Sequence, residues 1–440
     1  MGPPIMRFSK LRLFIGTAIV LASQCLSAQA ASFDGTCKAA PPIPAPRDAR
    51  IVRVGSEAAL QQAMGDLREN TVVLLAPGEY RLTSTLWING RNNVTIRGDS
   101  ERCDAVVLTG KGMENASGAS AVPHGIWSNS SGLRVENLTI RDVYYHAINL
   151  DGSADAPSVY NVRMVDTGQQ FVKSNPLGFG NGVDNGKVRF SVMEYSDGPP
   201  RTNHGGGTGY TNGVDVHAGR NWVISNNHFE NFHTPDTAQN LWNPAILVWN
   251  GASNTTVDAN TFVDVDRAIA LGLIDRGNDH RGGVVRNNMI VMRPGLFSAD
   301  RTRQSDAAIL VWSSPDTEVL HNTVMTQGNT NKSIELRFDS NGASVRNNLV
   351  SAPITDRSGN SYVDRDNVRH TDMSVFVDPS SGDLHLKKRV DGVTGVVPAL
   401  ANVATDFDGE PRRSSGGGDA GADQITTDGA GGGVCLVRPL

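Results

Sequence analysis

The densest polar stretch of the chain is Asn212-Gly213-Val214-Asp215-Val216-His217-Ala218-Gly219-Arg220-Asn221, which brings a carboxylate, an imidazole and a guanidinium within six residues. An imidazole next to a carboxylate can accept a proton or hold a proton donor in place, and a guanidinium can neutralise an anionic group on a substrate. The same residues also suit a turn network in which Asp215 and Arg220 satisfy backbone groups. Lys173 lies 42 positions before Asp215. If the fold brings them together, a neighbouring carboxylate would keep this lysine charged, whereas a second cation would lower its pKa. Asp151, Asp184, Trp249, Trp312, Glu335 and Arg337, the loop Asp279-His280-Arg281, and His204 with Tyr210 complete the set of residues able to act on or hold a ligand.

What must position them is a repeat. Segments align on an apolar residue followed by Asn two or three places on: Val135 to Ile140, Val159 to Met164, Ile224 to Phe229, Val257 to Phe262, Val285 to Ile290, Val319 to Val324 and Val345 to Val350, with Val188 to Met193 fitting without its Asn. The anchors are separated by 24, 29, 36, 33, 28, 34 and 26 residues. A second short strand follows each anchor, as in Ala147 to Leu150, Phe171 to Lys173, Gly213 to His217, Ala245 to Trp249, Ala268 to Leu271, Ala308 to Trp312 and Ser333 to Arg337. A unit of this size cannot bury its own apolar residues, but stacking coils about 4.8 Å apart aligns them into one core. Recurrent Asn suits the bends, where it tolerates left-handed backbone and its amide can bond from coil to coil, so the asparagines read as structural ladders. Ser56 to Glu69 reads as one amphipathic helix ahead of the coils.

Residues added to a coil must leave the stack as loops. The additions at 195–212, 232–244 and 293–307 precede the second strands, and those at 174–187 and 272–283 follow them. The second-strand face therefore reads as the floor of a groove walled on both sides, which suits an extended polymer. Alternation along the strands places Asn149 and Asp151, then Lys173, Asp215 and His217, Trp249, Trp312, and Glu335 with Arg337 on this floor. The phase at Lys173 stays open, because pairing Phe171 inward would turn Lys173 inward too. Trp249 and Trp312 can offer an aromatic face to a pyranose, or pack under a loop.

The 440 residues carry 40 Lys+Arg against 45 Asp+Glu, a net charge of −5, and no run of like charges, so nothing here grips a nucleic acid. A positive segment (Arg7, Lys10, Arg12), the apolar run Leu13 to Ala22 and Ala28-Gln29-Ala30 read as an export signal over 1–30, implying a secreted or periplasmic protein, with no later span long enough to cross a membrane. A Pro-rich lead follows over 31–50, then the coils with a C-terminal cap over 51–425 and a Gly-rich tail over 426–440. In an oxidising compartment Cys37 with Cys103 is the plausible pair, leaving Cys435 over. Stacked coils with capped ends need no partner, so a monomer is expected.

These repeats, with the helix followed by Val73-Leu74-Leu75-Ala76-Pro77-Gly78-Glu79-Tyr80, resemble the right-handed parallel β-helix proteins of the pectate-lyase-like superfamily over roughly residues 50 to 425. The resemblance implies an all-β solenoid with an N-terminal capping helix and chemistry on a polysaccharide, most often β-elimination of a polyuronide. That reaction needs a cation to neutralise the uronate carboxylate and a base to take the C5 proton. On this reading Lys173 or His217 is the base and Arg220 the carboxylate partner. Asp184 and Asp215 hold Ca²⁺ or orient the base, and Asp151, Trp249, Trp312, His280, Arg281, Glu335 and Arg337 line the groove. The alternatives are a hydrolase using two of Asp151, Asp184 and Asp215, or a polysaccharide-binding protein without catalysis.

Overall fold

The computed structural model describes residues 1–2, 33–415 and 417–425. Residues 3–30 of the expected export signal, Cys435 and the Gly-rich tail lie outside the described residues. The chain coils into a parallel β-helix. One face is a sheet of ten parallel strands: β1 (Leu86–Ile88), β2 (His124–Ser128), β3 (His146–Leu150), β4 (Val172–Ser174), β5 (Val214–His217), β6 (Pro244–Trp249), β7 (Arg267–Leu271), β8 (Ala307–Trp312), β9 (Lys332–Arg337) and β10 (Ile354–Asp356). Each pairs with the next in sequence order. The remaining coil strands form two further faces, joined where Arg134–Val143 and Ser158–Thr167 run through both.

The anchors recognised in the sequence stand in parallel register on one of these faces: Val135, Val159, Val188, Ile224, Val257, Val285, Val319 and Val345. On the ten-stranded face the inward row is Leu86, Ile126, Ile148, Val172, Val214, Ile246, Ile269, Ile309 and Ile334, all fully buried. Each such side chain contributes about 1.5–3 kcal/mol on leaving water, and no coil could collect it alone. Between the other two faces the backbone bends through left-handed residues, Asn137, Asn161, Asn226, Asn287 and Asn347 at φ 52–58°. One position on, the amides of Asn227, Asn260, Asn288, Asn322, Asn348 and Asn367 form a column in which each Nδ2 donates to the next Oδ1 at 2.9–3.0 Å. The asparagines are thus architectural.

Helix α1 (Glu57–Gly65) lies against the first coil through Leu60, with Ser56 capping Ala59 N–H. It is shorter than the sequence suggested, since the chain turns at Asp66. The Pro-rich lead runs along the flank, where Pro41 and Ile43 carbonyls accept from Tyr160 Oη and Arg97 Nη2 at 2.6 and 3.1 Å. It is tied down by the Cys37–Cys103 disulfide. The C-terminal segment, expected to close the last coil, lies instead along the flank. Val263, Met289, Val291, Met325 and Leu349 point outward there, and Phe376, Leu384, Val393 and Ala422 cover them.

Candidate active site

The groove-facing row of the ten-stranded sheet reads Trp87, Trp127, Asn149, Lys173, Asp215, Leu247, Ala270, Leu310 and Glu335 across β1 to β9. Val172 takes the inward place on β4, so Lys173 faces out, and neighbouring coils bring it beside Asp215. Lys173 Nζ lies 2.5 Å from Asp215 Oδ2 and 2.8 Å from His217 Nε2. Trp249 Nε1 donates to Asp215 Oδ1 at 3.1 Å and its ring meets His217 edge to face. Both oxygens of Asp215 are therefore engaged, and its side chain has no exposed surface. Burial alone would raise its pKa, but the Lys173 ammonium beside it holds it well below the usual carboxylate range.

The ammonium has only protons to offer, so towards Lys173 the His217 Nε2 can act only as acceptor, while the same nitrogen lies 3.4 Å from Asp215 Oδ2. Lys173 and His217 retain a small exposed surface, and Asp215 below them has none. The tight turn after β5 depends on Gly219, where a Cβ would stand 2.4 Å from Val183 O. Towards the start of the sheet, His124 and His146 stack at 5.2 Å. Both are neutral because burial depresses them, His124 to about 4 and His146 further. Burial and the Asp215 charge push the Tyr210 phenol up to about 12, so it keeps its proton beside the site.

The other expected residues are placed differently. Arg220 turns away from the cluster and pairs with Asp184, which accepts from its backbone N at 2.9 Å and its Nε at 3.1 Å. Asp184 and Asp215 thus hold separate cations and do not form the expected calcium pair. Asp151 lies beyond the Lys173 row and caps Gly152 N–H. Trp312 is buried beneath the Arg267 and Arg337 guanidiniums, which leaves no ring face for a sugar. Arg337 also lies over Phe338. Glu335 has no exposed surface, because Lys332 and Arg357 close over it. His280 is buried between Ser314 and Thr255, and Arg281 pairs with Asp316 on the outer surface. His204 and Asp279 hold loops, through Met113 O and the Leu273 and Ile274 N–H groups respectively. For Trp312, Glu335, His280, Arg281 and Arg337 the expectation that they line the groove is corrected by this burial and pairing.

The walls do more than flank the floor. From Leu247 onward they cover it: Leu247, Ala270, Leu310 and Trp312 form a small buried cluster of their own. Helix α2 (Ala299–Gln304) belongs to this cover, its buried Arg301 bonded to Asp266 and to Thr234 Oγ1. Trp87 and Trp127, which the sequence reading passed over, lie at the open end, 5.3 Å apart, with Trp87 45% exposed. The apolar frame Leu86-Trp87-Ile88 and Ile126-Trp127-Ser128, matched to Ile148-Asn149-Leu150, was the signal for them.

A solved structure described as a glycoside hydrolase superposes at a TM-score of 0.51, with 11% identity, covering 74% of this chain and 98% of that one. An alginate lyase from Paenibacillus sp. str. FPU-7 aligns at 0.46, with 16% identity over 72% of this chain and 99% of the other. A mutant tailspike protein of E. coli bacteriophage HK620, in complex with a pentasaccharide, aligns at 0.49, with 16% identity over 73% and 58%. No protein-family model matches the chain, and no curated protein does. The paired coils and the first of these superpositions agree on architecture: the chain is a parallel β-helix protein.

Proposed function

We propose that this is an exported carbohydrate-active enzyme that cleaves a uronate-containing polysaccharide by β-elimination at Lys173, His217 and Asp215. The observation that carries the reading is Lys173 Nζ set 2.8 Å from His217 Nε2 over a buried, ionised Asp215. A uronate carboxylate entering the groove takes over the ammonium, which neutralises it and acidifies the C5 proton. The same exchange frees the His217 lone pair to accept that proton. The C4–O4 bond then breaks, C4=C5 forms, and the leaving oxygen is protonated by water. Asp215 acts through its neighbours, keeping Lys173 charged and in place.

The donor set does not favour calcium, because Asp184 and Asp215 already hold separate cations. Lys173 supplies the positive charge instead. A hydrolase using Asp215 is less well supported, since a carboxylate with no exposed surface cannot reach a glycosidic bond. The Cys37–Cys103 disulfide supports work outside the reducing cytoplasm. The test is to incubate the protein with alginate and polygalacturonate and follow the ultraviolet absorbance of an unsaturated uronate. A rise that disappears in Lys173→Ala is the expected result. New reducing ends without absorbance would move the reading to hydrolysis, and retention on the polymer without any product would move it to binding.

A further inference from the structure

The floor on either side of the Lys173–His217 cluster is not equivalent. Toward β1 the row passes the buried Asn149 and then emerges at Trp127 and at Trp87, which is 45% exposed. Toward β6 it stops within one coil. The loop after β4 arches over and is pinned where Gly180 N donates to Asn250 O at 3.0 Å. Its Phe179 ring lies 5.2 Å from the Arg276 guanidinium, which lies 5.5 Å from the Trp249 ring beneath. Arg276 is itself held by Asp279 at 2.7 Å. Behind this contact Leu247 is buried, and Ala270, Leu310 and Glu335, the rest of the floor row, have no exposed surface.

We propose that Phe179, Arg276 and Trp249 form an end wall, so that the site takes polysaccharide chain ends and removes one short fragment at a time, with the rest of the polymer lying toward Trp127 and Trp87. The inference rests on the lyase reading for the chemistry that reports it. Trp249 stands one coil from His217, and coils rise about 4.8 Å, so above the floor the step from the cluster to the wall has room for one terminal sugar. A chain cannot pass through in mid-length, because the only continuation of the floor is filled by side chains. The exposed rings at the open end suit the apolar faces of the sugars that follow.

The test is the length distribution of products from alginate or polygalacturonate at low conversion, read with the viscosity of the solution. A single short product with slowly falling viscosity is expected. Phe179→Ala, a change at an exposed ring, and the double variant Phe179→Ala/Arg276→Ala should lengthen and broaden the products. Long mixed oligomers from the natural chain, with viscosity collapsing early, would overturn the end wall while leaving the lyase reading intact. Should no cleavage occur, the lyase reading falls and the wall is read by binding: an oligosaccharide carrying a bulky fluorophore on one end should bind at least tenfold more weakly than the same oligosaccharide tagged on the other. Equal affinities overturn the inference.

Discussion

Asp215 and Glu335 stand in the same row of the same sheet, four coils apart, each without exposed surface and each paired with a lysine. Their company differs. Glu335 meets Lys332 and Arg357, and Arg357 continues to Asp306 and on to Arg267, so each charge of the network is paired with an opposite one. Asp215 meets Lys173 and also an imidazole, whose Nε2 lies 2.8 Å from the same ammonium. A buried carboxylate therefore does not by itself mark chemistry. On the proposed function, what would separate a catalytic cluster from an architectural one is a proton acceptor that the cluster leaves uncommitted once a ligand claims its cation.

The sharpest way to break this comparison is His217→Ala. Loss of a positioned base should lower kcat/KM about 10²–10⁴-fold with the fold retained, measured as unsaturated uronate formed per minute with circular dichroism as control. An unchanged rate would remove His217 from the mechanism. Glu335→Ala should do the reverse, lowering stability by about 1–3 kcal/mol in urea titration while activity per folded molecule stays within about twofold, since the cations left behind reach water. A large loss of activity there would erase the distinction between the two clusters.

Acid gives the next effect. Burial pushes His280, on the wall beside the covered half, down to about 3, so folding favours its neutral form. Its contribution is present above about pH 6.5 and is lost as pH falls toward 3, at no more than about 1.4 kcal/mol per pH unit. His280→Asn should flatten the acid limb of the stability curve, and an identical limb would assign that loss to other buried histidines. Trp249→Phe keeps the ring but removes the hydrogen bond to Asp215, for a loss of about 1 kcal/mol in stability and a fall in rate of up to about tenfold. Smallest of all, a chelator should leave the rate within about twofold; abolition of activity would restore calcium to the site.

Much of the fold was legible because it repeats. A single coil gives a weak signal, but eight anchors in one register, with Asn at the bends, leave few alternatives to stacked coils. That Lys173 and Asp215 with His217 stand on neighbouring coils was legible in the same way, from the order of the second strands, though not which way Lys173 faces. The covered half was not. Nothing local at Trp312 or Glu335 announces that Arg267, Arg337 and Arg357 will fold over them, because those contacts join residues 22 to 45 positions apart through loops of irregular length. Lys173 could be phased only once Val172, and not Lys173, was seen to take the inward row.

The asparagine column has a polarity. Each Oδ1 receives both the Nδ2 of the preceding amide and the backbone N–H beside it, which fixes every amide in the same sense. The dipoles add, with the positive end at Asn367, and there Nδ2 donates to the Asp364 carboxylate at 2.8 Å. That anion satisfies the last donor and places a charge at the edge where another molecule's coil would have to continue the column. A solenoid that can extend indefinitely by its own bonding rule is in this way given a last rung.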